Sequence, residues 1–368
     1  MVASYLLLLV VWFIVIKHGY QKFQEPVGSS VIKIKGAGQV SSRNAGYRQG
    51  TFDNKDQFLW DATEYTLPPI EDNAFFIVSR SLVTFKQTED TCPTTLDSKL
   101  FCNSTDSRLC VKGASTNDGL GFLTGQCVKS SEDTTKTVCE INAWCPLENT
   151  KSTQYRINID NLRNFTVFMK TAVIFSDAKA VIRTVNDNFN PSCRFNTATE
   201  VGKKCPIFSI GYILDNLKTQ AGSINKTELY EQGGLILIEQ EWECNLDTQK
   251  GRDDCFPTYT FILLQGGDEQ SPSGSNYRFA NKYRENGKDY RTLTKVFGLR
   301  FIVVITGKGG KFDILATSTT IQGNLELLGI ITIICSIILS MGNTTSEQWK
   351  TMKTDLKSNL YDIVFCAD

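Results

Sequence analysis

Histidine is almost absent from this chain: His18 is the only one in 368 residues. No imidazole is available in the main body, which excludes Ser-His-Asp hydrolysis, Cys-His proteolysis and His-rich zinc sites. Net charge is lacking too. Lys+Arg 39 balances Asp+Glu 39, whereas a nucleic-acid-binding chain usually carries a basic excess. No C-x-x-C pair occurs among the cysteines, so the spacing of a structural zinc site is missing. There is no G-x-x-x-x-G-K-[ST] phosphate loop, no internal repeat and no low-complexity linker. What the chain does have is 41% apolar and 21% charged residues, outside the range of intrinsic disorder, and a length that can hold two domains.

Two apolar runs stand near the ends. Met1–Ile16 is sixteen residues without a charge, and a membrane-crossing helix takes about 17–25. A signal peptide would show a basic start and a small-residue cleavage site. Here Lys17-His18-Gly19-Tyr20 follows instead, so the run reads as a transmembrane helix cut short at its cytosolic end. Leu325–Met341 is seventeen residues with one acid, Glu326. Alone it could be a buried core helix; beside the first run it reads as a second span.

Between the runs lie ten of the twelve cysteines: Cys92, Cys102, Cys110, Cys127, Cys139, Cys145, Cys193, Cys205, Cys244 and Cys255. An even count with loop-rich spacing implies disulfides and an oxidising compartment. Glycosylation sequons at Asn103, Asn164 and Asn225 agree. The expected fold class is a membrane protein with two transmembrane helices and a large β-rich, disulfide-stapled ectodomain. Its parts are a first helix 1–16, an extracellular domain 17–324, a second helix 325–341 and a cytosolic tail 342–368. The expected location is the plasma membrane, with two spans and both termini cytosolic. Lys17 and Lys22 then lie outside, against the positive-inside trend; the cysteines outvote them.

The ectodomain reads mostly as strands. Val31-Ile32-Lys33-Ile34-Lys35 alternates, with Lys33 and Lys35 on one face. Phe297, Leu299, Phe301, Val303 and Ile305 share a face of a long strand, and Gly307-Lys308-Gly309-Gly310 reads as a hairpin turn into Lys311–Leu315. Residues 92–145 hold six cysteines and few aliphatic runs, the composition of a stapled head. Spacing alone leaves the connectivity of ten cysteines open. Lys33, Lys35, Arg278 and Lys295 stand out by context, although taken singly each suits a solvated surface.

Six motifs in order carry a resemblance: Lys33-Ile34-Lys35-Gly36, Asn164-Phe165-Thr166, Cys205-Pro206-Ile207-Phe208, Asn276-Tyr277-Arg278-Phe279, Arg291-Thr292-Leu293-Thr294-Lys295 and Gly307–Ile314. Over roughly residues 15–335 the chain resembles the ATP-gated cation channels of the ionotropic purinergic receptor (P2X) family. The resemblance implies an extracellular ATP-gated, non-selective channel for sodium, potassium and calcium, and no enzyme. It implies a homotrimer whose ligand, ATP with or without magnesium, lies between subunits. The partners are then membrane lipid and permeant cations, with no nucleic acid and no cofactor; a divalent cation could modulate it at an unknown metal site.

By position, Lys33, Lys35, Asn276, Arg278 and Lys295 match the phosphate-binding set. Thr166 matches the residue that hydrogen-bonds adenine, Ile207 an apolar contact near the base, and Lys170 a further basic neighbour. Glu326 and Gly329 fall on the pore-lining helix, as an outer-mouth charge and a bending or packing point. The implied disulfides are Cys92–Cys145, Cys102–Cys127, Cys110–Cys139, Cys193–Cys205 and Cys244–Cys255. The chain departs from the family pattern at Asn190 and Ser336 and in lacking the short basic motif after the second run. Two rivals remain. A trimeric two-pass channel gated by protons would want more than one histidine, though peptides could gate it. A nucleotide ectoenzyme would want metal-binding carboxylate or histidine clusters.

Overall fold

The computed structural model describes residues 12, 18–44, 53–68, 71–103, 110–148, 150–176, 179–186, 189–219, 224–266, 275–323, 326 and 333. The chain divides into two compact units. One comprises Met1–Gln24, Asn245–Gln249 and Gly310–Asp368; the other comprises Glu25–Cys244 and Lys250–Gly309.

The larger unit is built on two sheets. The main one runs in the order Leu217–Lys218, Thr258–Gln265, Gly234–Asn245, Lys288–Phe312, Ala74–Pro93, Ser152–Ile157, Gly38–Asn44 and Asp53–Trp60. Its inward side chains alternate as a one-sided sheet requires: Ile236, Ile238, Gln240 and Trp242 are buried on one strand, Leu299, Phe301 and Val303 on the next. Phe75 and Phe301 stack across neighbouring strands at 4.5 Å. Each such large side chain contributes roughly 1.5–3 kcal/mol on burial.

The second sheet is centred on Thr166–Phe175. Val27–Lys35 pairs antiparallel along one edge of it, while Ile207–Ser209 and Ala180–Arg183 share the other edge at opposite ends. Residues 92–145 form the stapled head. Strands Gly121–Lys129 and Thr137–Cys145 pair, and Cys110, Leu123, Cys139, Ile141, Ala143 and Leu147 make a small core of their own. Five disulfides close: Cys92–Cys145, Cys102–Cys127, Cys110–Cys139, Cys193–Cys205 and Cys244–Cys255. They are the pairs that the resemblance implies, and the β-rich, disulfide-stapled part of the expected fold class stands.

Other expectations need correction. Two transmembrane helices, and with them the two-span plasma-membrane topology with both termini cytosolic, are not what the structure shows. Among the described residues no helix is long and apolar enough to cross a membrane. The helix that begins at Ile314 runs through Thr317, Ser318, Thr319, Thr320 and Gln322, too polar a sequence for hydrocarbon. Apart from Trp12, Glu326 and Ile333, the runs Met1–Ile16 and Leu325–Met341 lie outside the described residues, as do Gly329 and the tail 342–368.

The glycine run at 307–310 is not a turn. Strand Lys288–Phe312 passes straight through it, and a helix, not a second strand, follows. Gly307 takes φ +113°, and a Cβ there would stand 2.1 Å from the Trp242 carbonyl oxygen. Glycine serves a close backbone approach at this point. Nor does Phe297 share the buried face. The register against Ala74–Pro93 shifts between Phe297 and Gly298, so Val296 turns into the core and Phe297 outward. A bulge re-aims side chains in this way.

Candidate ligand-binding site

The second sheet shows how two of the sequence motifs meet. Phe165 is buried and stacks on Tyr65 at 4.4 Å. A Cβ on Gly36 would come within 2.2 Å of its ring, so the glycine of Lys33–Gly36 is where the Phe165 ring fits. Tyr65 donates its hydroxyl to the Gly36 carbonyl at 3.1 Å. This packing sets the register in which Lys35 lies opposite Thr166, Lys33 opposite Phe168 and Val31 opposite Lys170.

The sheet's alternation does the rest. Ser30, Ile32 and Ile34 face inward with Val167, Met169 and Thr171; Val31, Lys33 and Lys35 face outward with Thr166, Phe168 and Lys170. Ile207 lies opposite Phe168 on the far edge and is buried. Five residues expected at a ligand thus share one face: Lys33, Lys35, Thr166, Lys170 and Ile207. Thr166 already directs its hydroxyl at the Lys35 carbonyl, 3.4 Å away. A cavity of about 870 Å³ opens on this face, lined among others by Lys33, Lys170, Arg183, Phe168 and Phe189. The two phenylalanine rings stack at 5.5 Å. Among the described residues, none of these three lysines has a carboxylate within ion-pair distance.

The other three expected residues lie on the main sheet. Arg278 pairs across the strands with Lys295, and Asn276 with Phe297. Tyr277 alternates inward against Phe76, at 5.0 Å, leaving Asn276 and Arg278 on the exposed face. Burial, with Glu71 adding to it, pushes the Tyr277 phenol up to about 12.

Here a carboxylate does intervene. Glu148 is only 6% exposed; its oxygens lie 3.1 Å from Arg278 Nε and 3.5 Å from Lys295 Nζ. Its Oε2 nevertheless accepts no hydrogen bond. The acid offsets one of the two positive charges and leaves the cluster net positive. Lys295 also stands 5.1 Å from the centre of the outward-turned Phe297 ring, and Arg80 stacks 3.9 Å over the same ring.

The structure therefore gathers the expected residues into two groups on separate sheets. Sequence reasoning missed Glu148 and Phe168. Phe168 was within reach, because it follows Thr166 at the strand period of two. Glu148 follows the last head cysteine by three positions, and nothing local announces its burial. The sequon residues Asn103, Asn164 and Asn225 are all exposed. Asn225 caps helix Lys226–Gln232 through its side-chain oxygen, which accepts from Glu228 N–H at 3.2 Å. Glu326 is exposed and accepts from Gln322 Nε2 at 3.3 Å. Chemically, each group offers cations, a hydroxyl or amide, and aromatic surface. Neither group contains a nucleophile held by a base, and the arrangement suits a polyanion with an apolar or planar end.

Comparison with known proteins fits that chemistry. A family model described as ATP P2X receptor matches residues 1–356. The chain is 33% identical to P2X purinoceptor 4 of Mus musculus, over 89% of this chain and 80% of that one. It is 34% identical to P2X purinoceptor 5 of Homo sapiens, over 92% and 72%. The solved chicken ATP-gated P2X7 receptor channel, with the competitive antagonist TNP-ATP, aligns with a TM-score of 0.72 and 28% identity, covering 93% of this chain and 98% of that one. A P2X receptor from the Gulf Coast tick, with ATP and Zn2+, aligns at 0.74 and 27%, covering 92% and 99%.

Proposed function

This chain belongs to the ATP P2X receptor family, and from that premise we infer that it is a subunit of an extracellular ATP-gated, non-selective cation channel and not an enzyme. ATP is the ligand, alone or with magnesium, and a divalent cation is a candidate modulator. Lys33, Lys35, Asn276, Arg278 and Lys295 take the phosphates; Thr166, Ile207 and Lys170 take the nucleoside end.

The observation that supports this reading most is the division of the expected set. Lys33, Lys35, Thr166, Lys170 and Ile207 share one outward face, and Asn276, Arg278 and Lys295 share another. Two outward half-sites suit a ligand that bridges neighbouring subunits of a homotrimer. Such a ligand opens the gate only through stronger binding to the open state than to the closed one. Recording membrane current from cells expressing the chain, with and without ATP, tests the reading. Current should appear only with ATP, and silence at saturating ATP with subunits on the surface would refute it.

Glu326 and Gly329 belong to the same proposal, as an outer-mouth charge and a bending point of the pore. A ring of carboxylates concentrates cations and holds divalents. Ser336 follows Cys335, where the family usually has an aspartate, so Glu326 is the charge left to provide that field. Glu326→Gln should lower calcium permeability relative to sodium and weaken block by external divalents, with ATP potency little changed. Reversal potentials in high-calcium and high-sodium solutions check it; an unchanged ratio places Glu326 outside the conduction path.

A further inference from the structure

We propose that Asp247 is a positioning residue for gating, tying the incoming arm of the chain to its outgoing arm so that ligand-driven movement of one is not lost from the other. The inference rests on the channel reading above. The arms are residues 18–24 and 310–323, and both belong with Asn245–Gln249 to the smaller compact unit.

Asp247 sits between them with both carboxylate oxygens engaged. Its Oδ2 accepts from Gln21 Nε2 at 2.6 Å, and its Oδ1 accepts from the Phe312 backbone N–H at 2.5 Å. Gln21 is 7% exposed, and its amide also donates to Asn245 Oδ1 at 3.2 Å. Asn245 in turn accepts from the Asp247 backbone N–H at 3.1 Å, and Leu246 N–H donates to the Gly310 carbonyl at 2.8 Å. The arms also meet directly. Asp313 N–H donates to the Tyr20 carbonyl at 3.1 Å. The Thr317 and Thr320 hydroxyls donate to the carbonyls of Tyr20 and Gly19, at 3.3 and 2.7 Å.

Three features make this joint more than a loop contact. The Gln21 bond is charge-assisted and half-buried, with the amide inside and the carboxylate at the surface. Gly310 packs against the Gln21 amide, since a Cβ there would stand 2.2 Å from Gln21 Oε1 and would displace that side chain. Phe312 ends the strand that bears Lys295, and Asp313, next in sequence, caps the following helix by accepting from Ala316 N–H at 2.9 Å. Asp247 therefore grips the residue at which a ligand-bearing strand becomes the outgoing helix.

The experiment compares current per surface channel with ATP binding, measured on the full chain by displacement of a labelled ATP analogue. In Asp247→Ala the buried Gln21 amide loses its anionic acceptor. Maximal ATP-evoked current per surface channel should fall at least about fivefold, while half-saturating ATP for binding stays within about twofold, because gating and not the pocket is altered. Gln21→Glu alone sets two carboxylates face to face and should do the same. Adding Asp247→Asn to Gln21→Glu reverses donor and acceptor and should restore current to within about threefold of wild type, a rescue that generic loss of folding does not produce. Normal current in Asp247→Ala, or failure of Asp247→Asn to relieve Gln21→Glu, overturns the proposal. A wild type that gives no current with ATP overturns the channel reading and this inference with it.

Discussion

The two faces that carry the candidate ligand residues differ in one respect that matters. On the sheet of Val27–Lys35 and Thr166–Phe175, Lys33, Lys35 and Lys170 point outward beside a cavity, and no described carboxylate pairs with them. On the hairpin of Asn276–Glu285 and Lys288–Phe312, Arg278 and Lys295 share the buried carboxylate of Glu148. The first face resembles an open electrostatic receptor. The second is clamped: a phosphate must share or displace an internal anion to use its cations. Burying Glu148 is tolerable only because the two cations compensate it, so the residues that would bind ATP also hold their own strand region together.

The comparison predicts unequal losses. Lys295→Ala removes a phosphate contact and leaves Glu148 under-compensated next to the incoming polyanion. A charge-assisted bond is worth about 1.5–3 kcal/mol, or roughly 10–150-fold, and Lys295→Ala should lie at or beyond the top of that range. Lys33→Ala removes only the attraction and should lie near the bottom. ATP concentration–response curves, normalised to surface subunits, give both numbers. Equal losses would mean that the clamp has no bearing on binding.

Glu148→Gln attacks the clamp itself and should move potency the other way. The amide keeps the shape and removes the competing charge, so ATP should act at concentrations about 3–10-fold lower, on the scale of a partly screened buried pair. In the Glu148→Gln background, Lys295→Ala should also do less damage than in the wild type, because part of its effect is an acid left with Arg278 alone. A double-mutant cycle measures that coupling, and strict additivity would remove Glu148 from the account.

Much of the open face was legible in the sequence. Alternation in Val31–Lys35 placed both lysines on one side; Thr166 and Lys170 came from the family resemblance, and the structure sets them on the same face. Register was beyond that reasoning. That Lys35 lies opposite Thr166 depends on Phe165 filling the space at Gly36, a contact between residues some 130 positions apart. The clamped face was less legible for the same reason. Glu148 gains its role only by tertiary burial against strands more than a hundred residues away. Phe297 was misassigned because strict alternation cannot foresee a register shift, and the glycines at 307–310 because a close crossing over Trp242 mimics a turn in composition. The apolar runs were read on length and composition alone.

The smallest effect should come from Thr166→Ala, and it sharpens the comparison by asking which face reads the base. Thr166 lies on the open face, opposite Lys35 and two residues from Phe168, whose ring meets Phe189. Its hydroxyl is held toward the Lys35 carbonyl at 3.4 Å, a long contact that a better acceptor could win. One neutral hydrogen bond contributes about 0.5–1.5 kcal/mol, roughly 2–12-fold. If the open face holds the nucleoside end, Thr166→Ala should weaken ATP by that factor and leave a triphosphate with a different base almost unaffected. Lys295→Ala, acting on phosphates common to both ligands, should weaken the two alike. The ratio of potencies for the two triphosphates, taken in each variant, isolates base reading from phosphate binding without any absolute affinity. If Thr166→Ala shifts both ligands equally, its hydroxyl supports Lys35 and the strand pairing around it, and base discrimination belongs instead to the aromatic shelf of Phe168 and Phe189, where stacking tolerates any base.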